Sequence, residues 1–202
     1  MDLAFQSLQG RFVCLEPFAP ALKEELRAAV DCDPETWAIM AGCALGDRFE
    51  EFFSTACSAP ASERMPYAIR RLADQRVVGM SSMYLTLASQ GAVEIGSSFL
   101  HPAARGGAVN PEAKLLMLGH AFAAGAVRVQ FRVDTRNVRS QAAVEKLGAV
   151  REGVLRKDRV TWNSYLRDTV FFSILASEWP AVKLRLEGRL SGFHSAEAMQ
   201  GK

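Results

Sequence analysis

A chain of 202 residues, 49% hydrophobic and 23% charged, is long enough for one well-buried domain and short for two. No stretch approaches the roughly 18 apolar residues of a membrane span. The start, MDLAFQSLQG, lacks a basic region followed by an apolar run, so a cytoplasmic, soluble protein with no membrane contact is expected.

Cys14, Cys32, Cys43 and Cys57 show no CxxC spacing and read as reduced thiols, and His101, His120 and His194 are scattered, so no metal site is expected. The net charge of +2 hides an asymmetry. Between Arg128 and Arg159 nine basic residues accompany four acids, a surplus of five that leaves −3 for the rest of the chain. Such a segment attracts a polyanion, whether nucleic acid or a phosphorylated cofactor, or is a solvated surface of mixed charge. No compact Lys/Arg run interleaved with aromatics is present, which argues against nucleic acid.

In chain order, Arg11 to Glu16 reads as a first strand, and Ala21 to Val30 as a helix through Leu22, Leu26 and Val30. A loop with Pro34, Trp37, Met40 and Gly42 precedes a second helix over Phe49 to Ser58. Tyr67 to Leu72 and Arg76 to Leu87 flank the polar turn Ala73-Asp74-Gln75 and read as a hairpin. Val93 to Leu100 alternates, with Val93, Ile95 and Phe99 expected on one face and Glu94 and Ser98 on the other. Gly96 within it signals a bulge or a close backbone approach.

A glycine turn follows, then a helix from about Pro111 to Ala124 with Leu115, Leu118 and Phe122 at core spacing. Val127, Val129, Phe131 and Val133 alternate in a further strand. Asn137 to Leu147 reads as a helix stopped at Gly148. Ala149 to Leu155 and Tyr165 to Leu175 are late strands, Trp179 to Leu190 a last helix, and residues 191–202 a flexible tail. Residues 1–190 then form a single α/β (α+β) domain around a mixed sheet, with parallel neighbours only where a helix makes the crossover.

The turn Arg105-Gly106-Gly107-Ala108-Val109-Asn110 follows an apolar strand and opens a helix. Two glycines let backbone N–H groups converge on one point, and the helix aims its free amides there. Asn110 reads as the cap and Pro111 as the first helical residue. A phosphate fits such a turn, and so does an ordinary Asn-capped glycine turn with no ligand. The turn lacks the Gly-Lys-Ser/Thr ending of a nucleoside-triphosphate loop and the GxGxxG dinucleotide pattern. Asn137 and Ser140, three apart, share one helix face; the pair reads equally as a ligand-facing unit and as a helix cap.

Four segments together carry a resemblance: EIGSSFLHP, RGGAVNPEAKLL, RVDTRNVRSQAAVEKLGAVREGVLR and YLRDTVFFSIL. From about Leu8 to Leu175 the chain resembles the GNAT N-acetyltransferases, in particular the branch of the ribosomal-protein N-terminal acetyltransferases RimJ and RimL. That resemblance implies the GNAT fold: a central, mostly antiparallel, twisted sheet with helices on both faces. It also implies an acyl-CoA, most simply acetyl-CoA, as cosubstrate and a primary amine of a peptide N-terminus or small molecule as acceptor, in a monomer or a homodimer. Ala108 departs from the glycine usual in the fourth position of this turn, and a positive φ there would be strained by about 1 kcal/mol or more.

By the same resemblance, backbone groups of Phe99, Leu100 and His101 serve the pantetheine arm, and the amides of Arg105, Gly106, Gly107, Ala108, Val109 and Asn110 serve the pyrophosphate. Asn137 touches the cofactor, and Ser140 lies near its sulfur and donates to the departing thiolate. Apart from the resemblance, Lys146 and Lys114 read either as helix lysines that meet cofactor phosphates or, more commonly for exposed helix lysines, as residues with no specific partner. The reaction implied is direct attack of the neutral amine on the thioester, with no acyl-enzyme.

A base is not evident from the sequence. Glu94 is the best carboxylate, read alternatively as an acid paired with a nearby Arg. Asp158 is a second, in a polar loop where a solvated charge is the plainer reading. Trp37, Met40 and Trp162 are the acceptor-pocket candidates. The alternative in another class is a catalytically weak acyl-CoA-binding module; nucleic-acid binding comes third.

Overall fold

The computed structural model describes residues 1, 3–85 and 87–200, with side chains through 193. Eight strands form one sheet in the order β1-β2-β3-β4-β5-β6-β8-β7. Their ranges are β1 Leu8–Gln9, β2 Val13–Pro17, β3 Arg64–Arg71, β4 Arg76–Tyr84, β5 Ala92–Leu100, β6 Arg128–Asp134, β7 Val150–Val160 and β8 Leu166–Leu175. The only parallel pair among them is β5–β6, where helix α4 (Val109–Ala123) makes the crossover, as the sequence leads one to expect. The remaining helices are α1 Lys23–Val30, α2 Pro34–Ala38, α3 Arg48–Ser58, α5 Val138–Leu147 and α6 Trp179–Gln200.

The sheet separates two apolar clusters. On one face α4, α5 and α6 pack Ala113, Met117, Val144, Leu147 and Leu186 against Val93, Ile95, Val129 and Phe172. On the other, α1, α2 and α3 pack Leu26, Trp37, Phe49 and Phe53 against Ala68, Met80 and Phe99. Both faces are thus covered by helices.

Several boundaries differ from expectation for local reasons. The segment with Trp37 is a short helix rather than a loop, because Asp33, itself left-handed at φ 58°, caps it by accepting from the Thr36 N–H. Strand β7 runs on through Asp158 to Val160, passing a left-handed Lys157 (φ 51°) where the register with β8 shifts. The last helix runs past Leu190 to Gln200, and residues 201–202 of the expected tail lie outside the described residues.

Helix α4 is rotated relative to the expected stripe: Ala113, Met117, Leu118 and Ala121 are fully buried, whereas Leu115 and Phe122 are only partly so. The small side chains at 113 and 121 let the helix lie close to the sheet.

The first turn of α4 is pinned from an unexpected direction. Glu112 is buried, and its carboxylate accepts the backbone N–H groups of Arg11 (2.9 Å), Phe12 (2.6 Å) and Val13 (2.7 Å). These charge-assisted bonds tie the start of β2 to the start of α4. A Cβ at Gly10 would lie 2.6 Å from the Glu112 carboxyl carbon, so glycine there makes room for the pin.

Candidate active site

Strands β5 and β6 pair over three residues, Ala92 to Glu94 with Arg128 to Gln130, and then part. β6 stays with β8 to the Asp134–Thr169 pair, while β5 stays with β4 to Leu100. A wedge opens between them and continues into a cavity of ≈ 670 Å³. The N-terminal ends of α4 and α5 both face this cavity: Gly106, Gly107 and Asn110 line it from one side, Asn137 and Ser140 from the other.

The bulge signalled by Gly96 is present one residue later. Ser82 pairs with Gly96 and Met80 with Phe99, so Ser97 and Ser98 together oppose Ser81, with Ser97 at φ 46°. The extra residue reverses the alternation. Phe99, expected beside Val93 and Ile95, instead turns to the opposite core and stacks on Trp37, with centroids 4.7 Å apart and planes at 10°.

Ser98 turns toward α4, where Lys114 is 5% exposed. Lys114 Nζ lies 2.8 Å from Ser81 Oγ and 2.6 Å from Ser98 Oγ, and the two hydroxyls are 2.8 Å apart. Lys114 is therefore not the exposed helix lysine the sequence suggests. Burial without a carboxylate partner pulls its amine down to about 7.

The glycine turn is built differently at its helical end. Gly106 takes the left-handed φ of 83°, but Ala108 sits at φ −72° as the residue capping α4, so the departure at 108 carries no strain. Asn110 is therefore inside the first turn and not the cap, and Pro111 follows it within the helix. The backbone N–H groups of Gly106, Gly107, Ala108, Val109 and Asn110 have no hydrogen-bond acceptor among the described residues. They form an anion-receptive end of the cavity.

Arg105 differs from its neighbours: its own N–H donates to Pro102 O (3.2 Å). Its side chain lines the cavity but is held by Leu100 O (2.9 Å) and Asp33 Oδ2 (2.5 Å), latching α2 to the turn. Phe99 and Leu100 line the cavity. His101 does not; its Nδ1 caps the short turn Pro102–Ala104 by accepting from Ala103 N–H.

At the start of α5, Asn137 Oδ1 accepts the Ser140 N–H (3.0 Å), so the asparagine is a cap and still faces the cavity. Ser140 Oγ has no hydrogen-bond partner among the described residues, and Lys146 lines the wall one helix turn beyond Ala142. The expected stop at Gly148 is present, at φ 100°.

Across the sheet, Glu94 lies on the wall facing α2. Its Oε2 accepts from Gln130 Nε2 (3.1 Å) and lies 3.9 Å from Arg132 Nη1. Asp158 is not a solvated loop charge: its side chain is 7% exposed and is shared by Arg132 (2.5 Å), Arg159 (3.1 Å) and Thr169 (2.9 Å), which together hold the carboxyl below its ordinary range against the opposing effect of burial. A carboxylate so engaged is a poor base.

Trp37 and Met40 line the cavity, the first fully buried. Trp162 does not line it; its Nε1 donates to Trp37 O (2.9 Å), clamping α2 from the β7–β8 turn. Four of the nine basic residues of the segment are paired with its own acids: Arg128 with Glu152, Arg136 with Asp134, and Arg132 and Arg159 with Asp158.

Sequence reasoning missed the Lys114 cluster, the Arg105–Asp33 latch and the cavity-lining Arg159 and Arg167. A helix lysine is ordinarily exposed, and the latch joins residues 72 apart.

Comparison with known proteins agrees with this geometry. Residues 13–150 match the model of the acetyltransferase (GNAT) domain family. A GCN5-related N-acetyltransferase from Brucella melitensis superposes with TM-score 0.86 at 27% identity, over 93% of this chain and 86% of that one. A chain from T. thermophilus assigned as an acetyltransferase gives TM-score 0.82 at 39% identity, over 94% and 100%. Mycobacterium smegmatis RimJ, in complex with CoA-disulfide, shares the fold (TM-score 0.73) at 22% identity, over 90% of each chain. No curated protein matches the sequence. A parted β5–β6 pair, a free-amide turn opening α4 and the family match converge: the chain belongs to the GNAT family of acetyltransferases.

Proposed function

We propose that this acetyl-CoA-dependent N-acetyltransferase moves the acetyl group directly to a primary amine of a peptide N-terminus or small molecule, in the manner of the RimJ/RimL branch, in the cytoplasm. One observation carries the reading. A single cavity runs from the free amides of Gly106 to Asn110, past Ser140, through the wedge to Glu94 on the opposite face of the sheet.

The free amides and the N-terminal end of α4 hold the pyrophosphate. The stretch Ser98 to Leu100, past the point where β6 has parted from β5, runs along the pantetheine arm. Lys146 stands near the phosphates on α5. On the far side, Glu94 takes the proton of the attacking amine, with Gln130 and Arg132 orienting its carboxylate. Ser140 Oγ donates a hydrogen bond to the thiolate as the C–S bond breaks, stabilising charge that exists only late in the reaction. No covalent acyl-enzyme is needed, because amine and thioester meet in one wedge.

Ala108 and the lack of an evident base are the sequence features that favour a weak binding module, and the relaxed φ at Ala108 removes the first of them. Equilibrium titration with acetyl-CoA, followed by thiol release in a panel of amines, is the deciding experiment. Saturable binding with amine-dependent thiol release is the expected result. Binding with no release above the amine-free rate would return the binding-module reading.

A further inference from the structure

The acceptor half of the cavity has a floor of three arginines on adjacent strands: Arg132 on β6, Arg167 on β8 and Arg159 on β7, the last two opposite each other in register. Arg167 is the unusual one. Its side chain is 6% exposed and, among the described residues, its Nε has no hydrogen-bond partner and its nearest carboxylate oxygen, Asp134 Oδ2, is 3.9 Å away. Among those residues its single hydrogen bond runs from Nη2 to the backbone oxygen of Arg132 (3.1 Å).

Asp134 does not neutralise it, because that carboxylate is taken by Arg136 through Nε (3.0 Å), Nη2 (2.9 Å) and the backbone N–H (2.9 Å). Arg132 adds a second buried Nε without a partner. Its Nη2 shares Asp158 with Arg159, so one carboxylate serves two guanidinium groups. The floor therefore carries three positive charges against Asp158, the more distant Glu94 and an Asp134 already held by Arg136.

A guanidinium withdrawn from water without a carboxylate is costly to fold around. Its planar fork suits an oxyanion held through two N–H groups. Arg132 touches both ends of this half-site: its Nη1 approaches Glu94, and its carbonyl holds Arg167. An acceptor whose amine lies at Glu94 thus has Arg167 and Arg159 next along the floor.

We propose that the acceptor carries an oxyanion, a carboxylate or a phosphate, beside its amine, and that Arg167 with Arg159 binds it. This rests on the N-acetyltransferase reading above and narrows its substrate to anionic amines. Arg167 is here a specificity-determining residue, not part of the bond-making step.

The test compares matched amines: α-amino acids against their amides, and phosphoethanolamine against ethanolamine, read as kcat/KM for thiol release. The anionic member of at least one pair is expected to win by tenfold or more, and the two pairs separate carboxylate from phosphate. Neutral amines matching or beating their anionic partners throughout would overturn the proposal while leaving acetyl transfer itself intact.

A second measurement needs no turnover. With the protein saturated in CoA, so that the free-amide end is filled, acetate or phosphate is expected to raise the melting temperature above chloride at equal ionic strength. Arg167→Gln is expected to abolish that increment and to lower kcat/KM for the anionic acceptor roughly ten- to hundredfold, mainly through KM. Arg159→Gln, at a more exposed side chain, is expected to lower it less. Equal response to acetate, phosphate and chloride in the CoA-loaded wild type would overturn the proposal whether or not either variant folds.

Discussion

Ser140 and Lys114 look into one cavity and are exposed to opposite physical demands. Ser140 keeps an uncommitted hydroxyl, so Ser140→Ala is expected to lower kcat about 10²-fold with acetyl-CoA affinity nearly unchanged, measured by turnover beside equilibrium titration. Loss of affinity with kcat held would make the serine a positioning residue instead. Glu94→Gln is expected to reduce kcat/KM most for amines of high pKa, which need a base more, measured across a series of amines.

Lys114 couples stability to pH. Its folded value of about 7 lies below the ordinary 10.5, so the unfolded chain binds the extra proton between those values. Stability therefore rises with pH across about 7 to 10.5, and the full penalty is present below about 7. Lys114→Met is expected to raise the urea midpoint at pH 6, with the gain shrinking toward pH 10. Ser81 and Ser98 remain bonded to each other in that variant, so no orphaned hydroxyl confuses the comparison.

At the scale of elements, the parts legible in the sequence are those fixed by local rules. The Gly148 stop and the Asn137 cap depend on neighbours within four residues; the stop reads correctly, and the cap is one of the two readings the Asn137–Ser140 spacing leaves open. The single parallel pair follows from a helix-sized crossover. What escapes reading is set by distant partners. Phe99 changes face because one extra residue opposes Ser81, and a two-residue period cannot anticipate that. The start of α4 lies at Ala108 because the Gly106 turn feeds straight into helical geometry, leaving Asn110 inside.

Glu112 belongs to the same class: a first-turn acid looks like a dipole-favouring surface residue until β2 is placed beside it. Glu112→Ala is expected to destabilise the fold by about 3 kcal/mol, measured by chemical denaturation, because one buried and two part-buried N–H groups lose their acceptor together.

For the molecule as a whole, the cofactor half is largely readable and the acceptor half is not. The former is one continuous passage, from β5 through α5. The latter is assembled from α2, the end of β6 and the β7–β8 pair, the first lying far ahead of the other two in the chain. Acetyl-CoA bridges elements on both sides of the wedge, and mass action then stabilises the folded chain. At a hundredfold excess over Kd the gain is about 2.7 kcal/mol, a rise of roughly 5–10 °C in Tm by scanning calorimetry.

The Arg105–Asp33 latch has a thermodynamic corollary. It joins the turn proposed to receive acetyl-CoA to the helix proposed to wall in the acceptor, with Arg139 adding a second tie to Thr36 (2.9 Å). Whatever factor acetyl-CoA imposes on acceptor affinity through this joint, the acceptor must return to acetyl-CoA, since binding free energies around a closed cycle sum to zero. Asp33→Ala cuts the joint and removes the α2 cap with it. It is expected to bring that cooperativity factor toward unity from both directions, in paired titrations with each ligand held saturating in turn.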